Sequence, residues 1–153
     1  MAGIEASVKF FHTPKIEDDG VNVGWFEDQT YEDGLPVAKV ARWNEFGTKQ
    51  GIPQRPFMRR TMMEHEKEWI ELLKTLVQKE IDKEGKKIDV DKALKQFGEV
   101  VKGDIQETIL RGGFTPNSRA TRRRKGESSI PLVDTGVMIS SIQARTDKEL
   151  LDV

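Results

Sequence analysis

Two long stretches of apolar residues at helical spacing constrain this chain more than any other feature of its sequence. In the first, apolar side chains recur at steps of three and four with Lys and Glu between them: Met58, Met62, Trp69, Leu72, Leu73, Leu76 and Ile81. Pro56 suits a first helical turn and Gly85 suits a helix end, so the pattern predicts a helix over 56–84. At ~1.5 Å per residue that helix is roughly 40 Å long.

A second apolar stripe follows a capping Asp89 and stops at Gly112. It consists of Val90, Leu94, Phe97, Val101, Ile105 and Ile109. Gly98 and Gly103 weaken the expected helix interior, at about 1 kcal/mol each relative to Ala. The spacing therefore predicts a second long amphipathic helix that can pack against the first.

Shorter segments complete an α+β fold. Apolar alternation predicts strands over 4–11 and 21–26 and a last strand near 142–145, and a short helix is predicted over 37–46, closed by Gly47. We expect one domain over 1–153, in which a small antiparallel sheet, made from an N-terminal hairpin and the C-terminal strand, packs against the two long helices. The other expected parts are an acidic N-terminal hairpin (1–34), an extended basic loop (114–131), a short helical stretch at 137–139 and a flexible tail (147–153).

Composition excludes several functional classes. The 153 residues include no cysteine, which removes disulfides, thiolate metal sites and cysteine nucleophiles. No stretch approaches the roughly 18 apolar residues of a membrane helix, and the N-terminus lacks the pattern of a secretory signal. These features predict a soluble protein that folds in a reducing cytoplasm and has no membrane partner.

Charge is balanced overall, at a formal net of −1, but unevenly distributed. Residues 1–34 hold eight acids against two lysines, for a net of −6, whereas residues 111–125 hold six bases and no acid, for a net of +6. Such asymmetry indicates a charged partner. In a cyclic assembly, a basic segment of one subunit can meet the acidic hairpin of the next. The candidate contact residues are Glu17, Asp18, Asp19, Arg122, Arg123, Arg124 and Lys125.

The basic cluster over 119–125 leaves three interpretations open. Five cations in seven residues can belong to a solvated loop, can bind phosphates, or can bind an acidic protein surface. The cluster lacks the interleaved aromatic residues that stack on bases, which weakens a nucleic-acid role.

Catalysis finds little support in the sequence. The only two histidines, His12 and His65, are 53 positions apart, and there is no Gly-rich phosphate loop or nucleophile elbow. The acidic turn at 17–20 lacks the alternating ligands of a calcium loop. A hydrolase or nuclease that uses Glu45, Glu64 and His65 is the remaining enzymatic alternative, and we expect no enzyme activity, no metal and no cofactor.

Four short motif segments occur in a fixed order. The first is Trp43-Asn44-Glu45-Phe46-Gly47-Thr48, followed by Ile52-Pro53-Gln54-Arg55-Pro56-Phe57-Met58-Arg59. Phe114-Thr115-Pro116-Asn117-Ser118 comes later, and then Pro131-Leu132-Val133-Asp134-Thr135-Gly136-Val137-Met138-Ile139-Ser140-Ser141-Ile142. Over about residues 40–143 this arrangement resembles the tail-completion, or head–tail joining, family of tailed bacteriophages, which includes proteins similar to lambda minor tail protein Z and Mu virion morphogenesis protein G.

The resemblance implies a structural virion protein of the neck, assembled in the bacterial host cytoplasm. Such a protein forms a ring, expected to be a hexamer, that caps the tail tube, docks to the head connector or stopper, and leaves a channel through which double-stranded DNA passes without sequence-specific contact. A small nucleic-acid-binding protein that uses residues 119–125 is the alternative.

The motif residues also have plausible architectural roles. Gly47 permits an unusual helix end, Asn44 or Glu45 can satisfy backbone groups there, and Arg55 and Arg59 can pair with Glu45. Pro53 and Pro56 stiffen the approach to the long helix and Phe57 staples its first turn, with Phe46 beside them in the motif. Asp134 can cap the short helix after it, where Thr135 and Gly136 lie.

Overall fold

The computed structural model describes residues 19–82, 89–125, 131–132 and 136–152. Its elements, in chain order, are β1 (Val21–Gly24), α1 (Val37–Phe46), α2 (Phe57–Ile81), α3 (Val90–Arg111), α4 (Arg119–Lys125), α5 (Val137–Ser140), β2 (Gln143–Thr146) and α6 (Asp147–Leu151). The long helices α2 and α3 pack together, and β1 and β2 form a two-stranded antiparallel sheet. The predicted α+β class is confirmed.

The sheet joins distant parts of the chain. Val21 pairs with Thr146 and Gly24 with Gln143, so the strand near the N-terminus lies beside the strand near the C-terminus, as predicted. The other predicted strand of the hairpin, over 4–11, lies outside the described residues.

Two compact units divide the chain. One comprises Met1–Gly24, His65–Gly103 and Gln143–Val153, and the other comprises Trp25–Glu64 and Asp104–Ile142. We call them the terminal unit and the central unit. Each long helix contributes one part to each unit, because α2 crosses from one range to the other at Glu64 and α3 at Gly103.

In the terminal unit, α3 approaches the sheet closely at a glycine. A Cβ atom placed on Gly98 would lie 2.7 Å from Val21 Cγ2 and 2.8 Å from Ala144 Cβ, so no larger residue fits unless these neighbours shift. The buried apolar residues of this unit are Trp69, Leu73, Ala93, Leu94, Phe97 and Val101. Gly98 therefore has a packing role that explains a helix-weakening residue in the stripe.

The C-terminal residues of the terminal unit are held by a capped helix. The Thr146 side chain accepts from Glu149 N while the Glu149 carboxylate accepts from Thr146 N, which is a complete capping box for α6. Thr146 Oγ1 also donates to Asp91 Oδ1 at 2.6 Å, and Lys95 Nζ lies 3.0 Å from Glu149 Oε1. The sequence predicts a flexible tail here, but residues 147–151 form a helix because these side chains satisfy its first turn.

The core of the central unit gathers around Phe57, the first residue of α2. Phe57 is fully buried and meets the Trp25 ring edge to face, with centroids 5.7 Å apart. Trp25 Nε1 donates to Met138 O at 2.7 Å. The buried apolar residues of this unit are Val37, Ala41, Phe57, Met58, Ile105, Ile109, Leu132, Met138 and Ile142.

Candidate functional site

A polar cluster with two buried charged residues lies where α1 ends and α2 begins. We call it the motif node; it consists of Asn44, Glu45, Arg55, Arg59 and Asn117. Glu45 is only 1% exposed and Arg55 only 4% exposed. Because burying charged groups is costly unless they are paired or hydrogen-bonded, their partners determine what the node can do.

Glu45 caps the start of the next helix. Its Oε2 accepts from Met58 N at 2.9 Å and its Oε1 accepts from Arg59 N at 3.3 Å, two backbone N–H groups of the first turn of α2. A carboxylate is favoured there, since a helix N-terminus carries partial positive charge. Arg59 Nε donates to Oε1 at 2.8 Å, and Arg59 Nη2 donates to Glu45 O at 3.0 Å. The predicted pairing of Arg59 with Glu45 is confirmed.

Arg55 binds neutral oxygens. Its Nη1 donates to Asn44 Oδ1 at 2.7 Å, and its Nε donates to Thr115 O at 2.8 Å. Its Nη2 donates to Pro116 O at 3.3 Å and to Asn117 Oδ1 at 3.2 Å. Desolvation lowers the pKa of Arg55 from its ordinary value, although an arginine keeps its charge under physiological conditions. The predicted pairing of Arg55 with Glu45 is therefore wrong. Arg55 instead contacts Asn117, which lies 62 positions later in the sequence.

Glycine is required between the two helices. Gly47 has φ of 72°, and a Cβ there would lie 3.0 Å from Ile52 O and 3.1 Å from Gln54 N. The connection over 48–52 is tight, with Thr48 N donating to Ile52 O at 2.9 Å. Pro53 and Pro56 lie in the same connection, and Pro56 directly precedes α2. The turn thus brings Glu45 to the start of α2.

The last motif is held by its backbone carbonyls. Besides the bond from Trp25 to Met138 O, Gln106 Nε2 donates to Ile139 O at 3.0 Å and Gln29 Nε2 donates to Ser141 O. Gly136 precedes α5 with φ of 74°. Asp134 and Thr135 lie outside the described residues, so the predicted cap by Asp134 stays a prediction.

The basic cluster is helical, in contrast to the extended loop predicted for it. Residues Arg119–Lys125 form α4, with Arg123 exposed and Arg122 half-buried, and Arg124 and Lys125 lie in its last turn. Ser118 explains the helix, since its Oγ accepts from Thr121 N at 3.2 Å and its carbonyl accepts from Arg122 N at 2.9 Å. A capping Ser followed by good helix formers was the signal in the sequence that the loop prediction missed.

Of the charged interface candidates, Asp19 is exposed and belongs to the terminal unit, and Arg122 and Arg123 belong to the central unit. Glu17 and Asp18 lie outside the described residues. The structure brings Asn44, Glu45, Arg55 and Asn117 together in one node. Asn117 and the Thr115 carbonyl belong to the motif segment over 114–118. Their role as partners of Arg55 depends on the folded chain and has no signal in the sequence.

Residues of the enzymatic alternative have other partners. Glu64 accepts from Arg60 Nε at 3.1 Å and from Arg111, and the hydrogen bond from Arg111, followed by that from Arg60, lowers the pKa of Glu64. His65 stacks on Trp69 with centroids 6.0 Å apart, and its Nδ1 lies 3.3 Å from Glu68 Oε2. Among the described residues, no group of three or more His, Cys, Asp and Glu side chains is placed to hold a metal ion.

No helix in the described part of the chain combines the length and apolar character needed to cross a membrane. Comparisons with protein-family models, curated proteins and solved structures find no match to this chain.

Proposed function

We propose that this chain is a structural virion protein of the phage neck, a ring-forming tail-completion component that caps the tail tube and docks to the head connector. One observation carries the proposal: every motif segment of the resemblance lies in the central unit, and three of those segments meet at the motif node. Motifs with a shared architectural purpose are expected to converge in this way, because each supplies partners that the others need.

The chemistry of the node supports an architectural role. Both oxygens of Glu45 accept hydrogen bonds from α2 or Arg59, and Arg55 donates to four neutral oxygens. A general acid or base must reach a substrate proton, whereas these groups are buried and already bonded to each other and to the backbone. The node is therefore suited to fix the α1–α2 junction. We propose that the outer surface of the protein makes the repeated contacts between subunits.

Exposed groups at three places can provide those contacts. Asp19, with Glu17 and Asp18 beside it in sequence, offers negative charge, and α4 offers positive charge. Met63 on α2 has 84% of its surface exposed, which marks part of the outer face of that helix. We propose that the acidic segment of one subunit meets α4 of the next, in a head-to-tail contact that closes a ring.

Assembly measurements test this proposal. Sedimentation velocity and negative-stain images of the purified protein, alone and mixed with tail tubes, should show rings or capped tubes. Raising the salt concentration should weaken a contact between exposed charges. A protein that stays monomeric at all concentrations and never binds tail tubes would contradict the proposed function.

Binding of double-stranded DNA is the second candidate, favoured by the helical form of the basic cluster. A helix presents its arginines with a fixed spacing, and phosphate contacts of this kind are independent of sequence and strongly dependent on salt. Replacing Arg122, Arg123 and Arg124 with Gln should abolish binding to random duplex DNA in a filter or anisotropy assay. Wild-type protein with no affinity at low salt would exclude this candidate.

A further inference from the structure

The outward face of α1 combines cations with aromatic rings. Val37, Ala41 and Glu45 are buried on one side of this helix. Lys39, Arg42, Trp43 and Phe46 follow at three- and four-residue steps on the opposite side. Lys39, Arg42 and Phe46 are exposed, and Trp43 is half-buried. This surface, which we call the α1 face, differs from the charged segments considered above.

Cations cover the aromatic rings of the α1 face. Lys39 Nζ lies 5.2 Å from the centroid of the Trp43 ring, and Arg59 Cζ lies 5.1 Å from the centroid of the Phe46 ring. Phe46 nevertheless keeps 47% of its surface exposed. Aromatic residues and arginine are enriched in the centres of protein interfaces, and the cations beside the rings favour a partner that carries negative charge.

The same unit carries an acidic surface of matching character. Glu27, Asp28, Glu32 and Asp33 are exposed in the loop between β1 and α1, which we call the acidic loop. Its backbone is well fixed: Gln29 Oε1 accepts from Phe26 N at 2.8 Å, Val37 N donates to Gln29 O at 3.0 Å, and Tyr31 N donates to Leu35 O at 2.9 Å. A preorganised loop loses little conformational entropy when it binds.

We propose that the α1 face binds the acidic loop of a second copy of this chain. The α1 face carries the cations Lys39 and Arg42, and the acidic loop carries four carboxylates, so the two surfaces are complementary in charge. Trp43 and Phe46 supply apolar area at the centre of the contact. The inference rests on the proposed function, because it assigns a specific contact to the self-assembly that this function requires.

Charge reversal and its compensation test the contact. The variant Lys39→Glu with Arg42→Glu should raise the dissociation constant of the assembly by about tenfold or more at low salt, the size expected for two screened surface pairs. Glu27→Lys with Glu32→Lys should do the same. Combining all four substitutions in one chain restores opposite charges across the contact and should recover most of the lost affinity.

A control of equal charge separates this contact from general electrostatics. Lys79→Glu with Lys92→Glu changes two exposed lysines outside the α1 face, and away from Met63 on α2, by the same net charge and should leave assembly nearly unchanged. Circular dichroism and thermal melting of each variant check that the fold is retained.

The outcomes are distinguishable. If the wild-type protein and the Lys39→Glu, Arg42→Glu variant assemble equally well, this contact is wrong, and the proposed function is unaffected. If the Lys39→Glu, Arg42→Glu variant assembles more weakly and the fourfold variant does not restore assembly, the α1 face binds another partner. That result also overturns the inference. Wild-type protein that never assembles contradicts both proposals.

Discussion

Replacing Arg55 with Lys should destabilise this protein far more than the same replacement at Arg59. Arg55 is 4% exposed, and its guanidinium donates four hydrogen bonds from three nitrogens to Asn44 and to the backbone and side chain of residues 115–117. A lysine ammonium donates from one point and cannot reach this spread of acceptors, so at least two of these oxygens lose their protein partner. At about 1–1.5 kcal/mol each, the loss is about 2–3 kcal/mol.

Arg59 provides the matched comparison. Its side chain is 43% exposed, so water can replace the guanidinium at Glu45, and Arg59→Lys should cost about 1 kcal/mol or less. Urea unfolding followed by circular dichroism measures both losses; for a slope of about 2 kcal/mol per molar, Arg55→Lys should lower the midpoint by about 1–1.5 M. Equal losses at the two positions, or a loss at Arg55 below about 1 kcal/mol, would refute the role given to burial.

Three further predictions concern packing, capping and pH. Gly98→Ala should destabilise by about 1–3 kcal/mol because the new Cβ meets both strands, whereas Gly103→Ala, which meets nothing within 4 Å, should stabilise by about 0.5–1 kcal/mol; thermal melting distinguishes the two signs. Glu45→Gln keeps the shape of the cap but removes its charge, so urea unfolding should show a loss of about 1–2 kcal/mol, and an unchanged midpoint would contradict the helix-capping role. The hydrogen bond from Thr146 lowers the pKa of Asp91, so the stability that its carboxylate contributes is present above its ordinary pKa and is lost progressively as the pH falls through and below about 4. The free energy of unfolding, measured across that range, should depend less steeply on pH for Asp91→Asn than for wild type. Identical slopes would show that Asp91 does not contribute to the pH dependence.

Much of the fold follows from local pattern. The spacing of apolar residues predicts helices over 37–46, 56–84 and from 89 to Gly112, and the structure places α1, α2 and α3 at Val37–Phe46, Phe57–Ile81 and Val90–Arg111. Helical periodicity repeats over several turns, so it survives any arrangement of the rest of the chain. Short elements carry less of this information, and the helices α4 and α6 were predicted as an extended loop and a flexible tail.

Their misassignment has a common cause. A helix of five or seven residues gains little from propensity and depends on what satisfies its first turn. Ser118 does so for α4 from within the segment, whereas α6 is tied to α3 through Thr146 and Asp91, two residues 55 positions apart. Only the Ser118 cap of α4 can be recognised from neighbouring residues in the sequence.

By itself, the sequence determined the class of fold and the two long helices, because amphipathic spacing acts over neighbouring residues. It also marked Asn44, Glu45, Gly47 and Arg55 as motif residues. Only the tertiary structure decided which of them meet: Glu45 caps α2, and Arg55 turns to Asn44 and to residues 115–117. A buried guanidinium takes whichever oxygens the folded chain brings within reach, and that selection depends on contacts between segments far apart in the sequence.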